Sequence, residues 1–188
     1  SKMKKIVITG GLGYIGTELC KIYSGYSWND SITVIDNRFI SERVNQLRNW
    51  NINFIHGDIL DNELIKRYCK DADVVHHLAG VTAVPRVKSE SNYDQDKHIS
   101  EAAQQGTKNI LNSISDKCKI IMPSTHVVYE GLESVKKNIN ENEKTKPVLA
   151  YGKSKDFNEN QLKNSGKNYI ILRLGSVYGY STDTARID

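Results

Sequence analysis

The sequence predicts a doubly wound α/β domain, a parallel sheet covered by helices on both faces with strand order 3-2-1-4-5-6. Three observations carry this. Short apolar, β-branched runs recur along the chain, as the strands of a buried parallel sheet do. Segments with apolar residues at helical spacing alternate with them. The first run ends in a glycine cluster that opens a helical segment, Gly10-Gly11-Leu12-Gly13-Tyr14-Ile15-Gly16.

Taken in order, Lys5-Ile6-Val7-Ile8-Thr9 reads as the first strand. Ile15, Leu19 and Ile22 then mark a helix over about 14–23. Residues 32–36 form the second strand, Val44 and Leu47 a weak helix, and residues 52–55 the third strand. Leu60, Leu64, Ile65 and Tyr68 mark another helix, and residues 73–78 the fourth strand. A long polar helix is expected over 93–115, a fifth strand over 119–122, an exposed loop over 133–146, a helix over 150–162 and a sixth strand over 169–174. Six such strands with right-handed crossovers make two mononucleotide-binding halves, the arrangement of a Rossmann fold.

Composition narrows the function classes. The 188 residues carry a net charge of +4, with 26% charged and 38% hydrophobic residues, as in an ordinary globular protein. Lys and Arg are scattered rather than striped, so nucleic acid is not an expected partner. No apolar run reaches the roughly 20 residues that span a membrane. Cys20, Cys69 and Cys118 are too few and too far apart for a disulfide framework or a metal site, so no metal is expected. Reduced thiols and a start that runs straight into a strand, without a signal-peptide pattern, lead us to expect a cytoplasmic protein.

The first βα junction carries the chemistry. Gly11-x-Gly13-x-x-Gly16, preceded by Gly10, fits a dinucleotide fingerprint. One glycine allows the tight turn, one lets a pyrophosphate approach the backbone, and one lets the helix pack on the strand. The helix amino terminus, at Tyr14 and Ile15, presents free N–H groups to the phosphates. Asp36 ends the second strand about 20 residues past Gly16, where an acid binds the ribose hydroxyls. Its charge repels a 2′-phosphate, which favours NAD over NADP, whereas the neighbouring Arg38 is a group that accommodates that phosphate. Asn37 lies between them. Asp58 and Ile59 follow the third strand and could flank an adenine, with Asp58 alternatively capping the next helix. Leu78-Ala79-Gly80 ends the fourth strand in small residues that allow close cofactor approach. His76 and His77 are adjacent in a strand, point to opposite faces and make a poor metal pair.

Tyr151 and Lys155 are spaced i, i+4 and share a helix face. Together with Thr9-Gly10-Gly11-Leu12-Gly13-Tyr14-Ile15-Gly16, Gly57-Asp58-Ile59-Leu60-Asp61, His77-Leu78-Ala79-Gly80, Gly106-Thr107, Ser124-Thr125-His126-Val127-Val128-Tyr129, Tyr151-Gly152-Lys153-Ser154-Lys155 and Leu172-Arg173-Leu174-Gly175-Ser176-Val177-Tyr178-Gly179, they make a chain that resembles the extended short-chain dehydrogenase/reductase family. The resemblance is to its nucleotide-sugar epimerase and dehydratase branch.

The resemblance implies that Tyr151 is a general base that takes a proton from a sugar hydroxyl while NAD takes the hydride from the same carbon. Poising a tyrosine near neutrality needs about 4 kcal/mol. An ammonium about 4 Å away supplies roughly that much at an effective dielectric near 20, the role implied for Lys155, which would also hold the nicotinamide ribose. Thr125 would hydrogen-bond the reacting oxygen, with Ser124 structural and Lys153 solvated. Thr82, Arg86, Thr125 and Ser176 are candidate substrate contacts, Arg86 reading equally well as a solvated loop charge.

Departures from the family pattern shape the expectation. Ala103 stands where Asn is usual, Ser176 where many members carry Asn, and Glu130 where Gly is usual. His126 and Val127 replace the Asp-Glu pair of the dehydratases. An NAD-dependent nucleotide-sugar epimerase is therefore the leading expectation. A nucleotide-sugar dehydrogenase/reductase or dehydratase is the second, and a non-catalytic NAD-binding regulator the third. The resemblance also implies a homodimer paired through the helices near 93–115 and 150–162. Residues 1–180 are expected to form the NAD-binding domain. Residues 181–188 are expected to begin a substrate-binding region that is largely missing.

Overall fold

A computed structural model describes residues 3–26, 30–80, 93–123 and 157–172. Its elements are β1 (Lys5–Thr9), α1 (Tyr14–Tyr26), β2 (Ser31–Asp36), α2 (Ser41–Asn49), β3 (Asn53–His56), α3 (Asn62–Cys69), β4 (Val74–His77), α4 (Tyr93–Ser113), β5 (Lys119–Pro123) and β6 (Asn168–Leu172). A helical stretch over 157–163, here α5, precedes β6. The six strands form one sheet in the order β3-β2-β1-β4-β5-β6, and every pairing is parallel. This is the expected doubly wound order. The reversal of winding falls between β1 and β4, where Ile6 pairs with Val74 and Thr9 with His77.

Strand alternation divides the core in two. Ile6, Ile8, Ile32 and Val34 face α1 and α2, where they pack with Leu12, Cys20, Val44, Leu47 and Ile52. Val7, Ile35, Val75 and Ile120 face the other layer and pack with Ile65, Cys69, Ile110, Ile114 and Leu162. A fully buried Val, Leu or Ile side chain contributes about 1.5–3 kcal/mol, so β1 and β2, apolar on both faces, anchor the sheet. All three cysteines are free and buried. Among the described residues no helix is long and apolar enough to cross a membrane.

The elements depart from expectation in detail. Ile22 is 56% exposed; the buried face of α1 runs through Cys20 and Tyr23 instead. β3 begins at Asn53 rather than Ile52, because Asn51 adopts a left-handed turn at φ 58° and Ile52 donates its N–H back to the Leu47 carbonyl. Leu60 lies ahead of α3, not inside it. The loop over 133–146, residues 150–156 of the expected helix over 150–162, residues 173 and 174 of the sixth strand and the region 181–188 lie outside the described residues.

Candidate functional site

The carboxyl edge of the sheet holds a cleft at the β1/β4 reversal, the position where open α/β sheets bind ligands. With its mouth included it measures about 760 Å³. One wall is Gly10, Ile35, Asp36, Asn37 and Arg38, from β1 and β2. The floor and far side come from Gly57, Asp58, Ile59 and Leu60. Ala79 and Gly80 after β4, with Ala102 and Ala103 of α4, close it.

Two glycines of the first turn are demanded by the geometry. Gly10 sits at φ +71°, and a Cβ there would lie 2.7 Å from the Ala79 amide nitrogen. Its own N–H donates to the Ile35 carbonyl at 2.8 Å, so the turn is fastened to β2 while it crosses toward β4. At Gly16 a Cβ would lie 2.5 Å from Gly11 Cα, which lets α1 seat directly on the turn. Gly13 begins α1: its carbonyl accepts from the Thr17 amide and hydroxyl. Tyr14, the first helical residue, is 45% exposed, and Ile15 packs on the α1-side core.

Asp36 is buried at 4% exposure, yet it borders the cleft. Its Oδ2 accepts the Leu12 amide at 3.0 Å. Its Oδ1 accepts the Arg38 amide at 2.9 Å. The Arg38 guanidinium adds Nε to Oδ1 at 3.2 Å and Nη2 to Oδ2 at 3.3 Å. Arg43 of α2 donates to the Leu12 carbonyl, so the Leu12 peptide is held at both ends and the turn keeps its distance from the acid. The Asn37 carbonyl accepts from His56 Nε2 at 2.9 Å.

Asp58 caps no helix. Its carboxylate accepts the Leu60 amide, a local turn. The N-cap of α3 is Asp61, whose side chain accepts the Leu64 amide at 3.1 Å. Asp58 is thereby left exposed at the cleft. Asn109 of α4, 4% exposed, donates to the Ile59 carbonyl at 2.9 Å and fixes this turn against the helix.

The two histidines do point to opposite faces. His76 Nε2 lies 2.6 Å from the Tyr23 hydroxyl of α1. Burial lowers its pKa to about 4. His77 faces α4: Nδ1 lies 2.9 Å from Thr9 Oγ1 and Nε2 lies 2.9 Å from Thr107 Oγ1. Among the described residues no cluster of His, Cys, Asp or Glu could hold a metal ion.

Of the residues singled out in the sequence, the structure gathers Gly10, Asp36, Asn37, Arg38, Asp58, Ile59, Ala79 and Gly80 around one cleft. Leu78, 4% exposed, is buried beneath it. Thr82, Arg86, Thr125, Tyr151, Lys155 and Ser176 lie outside the described residues. Not singled out as site residues were Ile35, Leu60, Ala102, Thr9, Thr107 and Asn109. A polar residue in each otherwise apolar stretch, Thr9 in β1 and Asn109 before Ile110-Leu111, was the available signal.

The cleft has the parts a dinucleotide needs: a glycine-rich turn at a helix start, with the Leu12 side chain turned into the core, a buried acid at the end of β2, and small residues after β4. A model of the NAD-dependent epimerase/dehydratase family matches residues 6–187. The chain belongs to that family. Its cofactor is NAD, and the described residues fit it: Gly10 presents no side chain to the cleft, and that of Leu12 is buried in the core.

The chain is 29% identical over 94% of its length to dTDP-D-glucose 4,6-dehydratase of Dictyostelium discoideum, covering 44% of that protein. It is 30% identical over 93% of its length to CDP-paratose 2-epimerase of Salmonella typhi, covering 58%. The fold matches that of UDP-glucose 4-epimerase from Thermotoga maritima with a TM-score of 0.63, at 22% identity, over 90% of this chain and 54% of that one. The chain thus spans about half the length of the relatives it matches.

Proposed function

We propose that this protein is an NAD-dependent nucleotide-sugar epimerase. The observation that carries the reading is the cleft at the β1/β4 reversal, joined in one family match to the segment Tyr151-Gly152-Lys153-Ser154-Lys155.

In this reading Gly10, Gly13, Tyr14, Ile15 and Gly16 receive the pyrophosphate, Asp36 the adenosine ribose, and Asp58 and Ile59 the adenine. Ala79 and Gly80, with Leu78 buried behind them, would form the wall beside the cofactor. Bound NAD supplies a reversible hydride acceptor. Tyr151 takes the proton of one sugar hydroxyl, Lys155 stabilises its phenolate, and Thr125 hydrogen-bonds the reacting oxygen. Reversal of the hydride exchange on the other face of a rotated keto-sugar is the chemistry that NAD would supply, and Tyr151 would give the proton back. Thr82, Arg86 and Ser176 contact the substrate. The free, buried thiols suit a reducing cytoplasm. Gln161 of α5 donates to the Gln104 carbonyl of α4, so these helices offer a joint surface for a homodimer.

Similarity to a 4,6-dehydratase favours a second reading, dehydration. Against it stand His126 and Val127 in place of an acid-base pair. The test is turnover of UDP-, GDP- and dTDP-sugars with product and cofactor both measured. Epimer formation without added cofactor is expected. Stoichiometric NADH makes the protein a dehydrogenase instead, loss of water from the sugar makes it a dehydratase, and undiminished turnover by Tyr151→Phe removes the assigned base.

A further inference from the structure

We infer that Arg38 is a latch on the ribose acid and sets how strongly the protein discriminates NAD from NADP. The inference rests on reading the cleft as the NAD site.

A carboxylate offers about four lone-pair positions, and Asp36 has four donors on it. Two are backbone amides, Leu12 and Arg38, which the fold cannot withdraw. The other two are Nε and Nη2 of the Arg38 side chain, one on each oxygen. The two hydroxyls of an adenosine ribose need two acceptor positions, so they compete with the guanidinium for the same pair. NAD binding on Asp36 therefore requires Arg38 to let go. The arginine is free to do so: its side chain is 40% exposed, against 3% for that of Asp36.

The released guanidinium remains two residues from the acid, at the rim of the cleft. It is a planar cation suited to bidentate recognition of phosphate. A cofactor with a 2′-phosphate pairs with it directly, while the same cofactor is repelled by Asp36. Arg38 thus acts against NAD, by occupying its acceptor, and in favour of NADP, by offering a counter-charge. The discrimination that Asp36 alone would produce is reduced at both ends.

The experiment measures Kd for NAD and for NADP by calorimetry on the wild type and on Arg38→Leu. The variant leaves Asp36 its two backbone donors, so the turn is retained, and a cooperative melting transition well above the assay temperature checks this. The ratio of Kd for NADP to Kd for NAD is expected to rise up to about fivefold in the variant, a size appropriate to a half-exposed charge contact. NAD should bind more tightly than in the wild type and NADP more weakly, and an unchanged Kd for NAD overturns the latch. An unchanged or smaller ratio, with NAD still bound by the wild type, overturns the latch alone. Failure of the wild type to bind either dinucleotide overturns the reading of the cleft itself and the latch with it.

Discussion

Thr107 Oγ1 spends its proton on the Ala103 carbonyl at 2.8 Å, and so can only accept from His77 Nε2, 2.9 Å away. The proton is therefore on Nε2 of the imidazole. In the neutral imidazole Nδ1 then accepts from the Thr9 hydroxyl at 2.9 Å, whose oxygen in turn receives the Ala79 amide at 3.3 Å. The hydrogen bonds run in one direction from Ala79 to Ala103, two residues that together close the cleft.

That chain of bonds predicts the effect of Thr107→Val. The substitution keeps the volume and removes both an acceptor and a donor at a site with no exposure. Breaking hydrogen bonds in a buried network costs about 1–3 kcal/mol. We expect that loss of unfolding free energy in urea, and a weaker NAD complex because the walls are no longer tied. A ring-nitrogen NMR spectrum showing the proton of His77 on Nδ1 in the wild type would refute the assignment of direction.

Local patterning made the cofactor half of the site readable. Alternation in β1 and β4 announced two buried faces and sent His76 and His77 apart, and the glycines of the first turn announced a backbone that tolerates no Cβ. Other features depend on contacts between distant segments. Cys20 and Ile22 are both apolar and close in sequence, and only the packing of α1 on β1 and β2 decides which one is buried. The Asn109 tether joins residues 50 apart. The clamp of Arg38 on Asp36 is a choice of rotamer at the rim, to which no periodicity responds.

Asp58 reads from the sequence as a possible helix cap, but the turn after it gives that role to Asp61. The Asp61 amide donates to the Asp58 carbonyl, which places the start of α3 after Asp61. Loss of an N-cap costs about 1 kcal/mol. Asp61→Ala should lower stability by that amount and leave NAD affinity unchanged. Asp58→Ala should weaken NAD binding with a smaller change in stability. Paired melting curves and NAD titrations distinguish them, and the opposite pattern would return the cap to Asp58.

Glycine substitutions separate structural demand from mere composition. Gly10→Ala forces a Cβ to 2.7 Å from backbone at a positive φ, and neither partner can yield without shifting β4. It should cost more than about 2 kcal/mol, since the left-handed conformation alone costs roughly 1–2, and abolish NAD binding. Gly25, exposed within α1, has nothing within 4 Å of its would-be Cβ. Gly25→Ala should stabilise by roughly 0.5–1 kcal/mol through helix propensity. Chemical denaturation of both variants checks the contrast. Equal effects at the two positions would mean that the turn is not under this constraint.

Acid sensitivity should originate in His76. It is 7% exposed, and burial lowers its pKa from 6.5 to about 4. Its partner Tyr23 is shifted the other way: burial first, then the charges of Asp30 and Cys20, raise its pKa and keep the phenol protonated. Between those two values the unfolded chain carries a proton on this histidine that the folded chain does not. Stability contributed by the neutral imidazole is therefore fully present above about pH 6.5 and is lost as the pH falls toward 4, with no further loss from this group below it. The slope approaches 1.4 kcal/mol per pH unit, for a total of roughly 3 kcal/mol. His76→Asn removes the titrating group, so its unfolding free energy, measured in urea from pH 7 to pH 4, should fall less steeply than that of the wild type by this amount. Parallel curves for the two proteins would assign the acid sensitivity to the carboxylates instead.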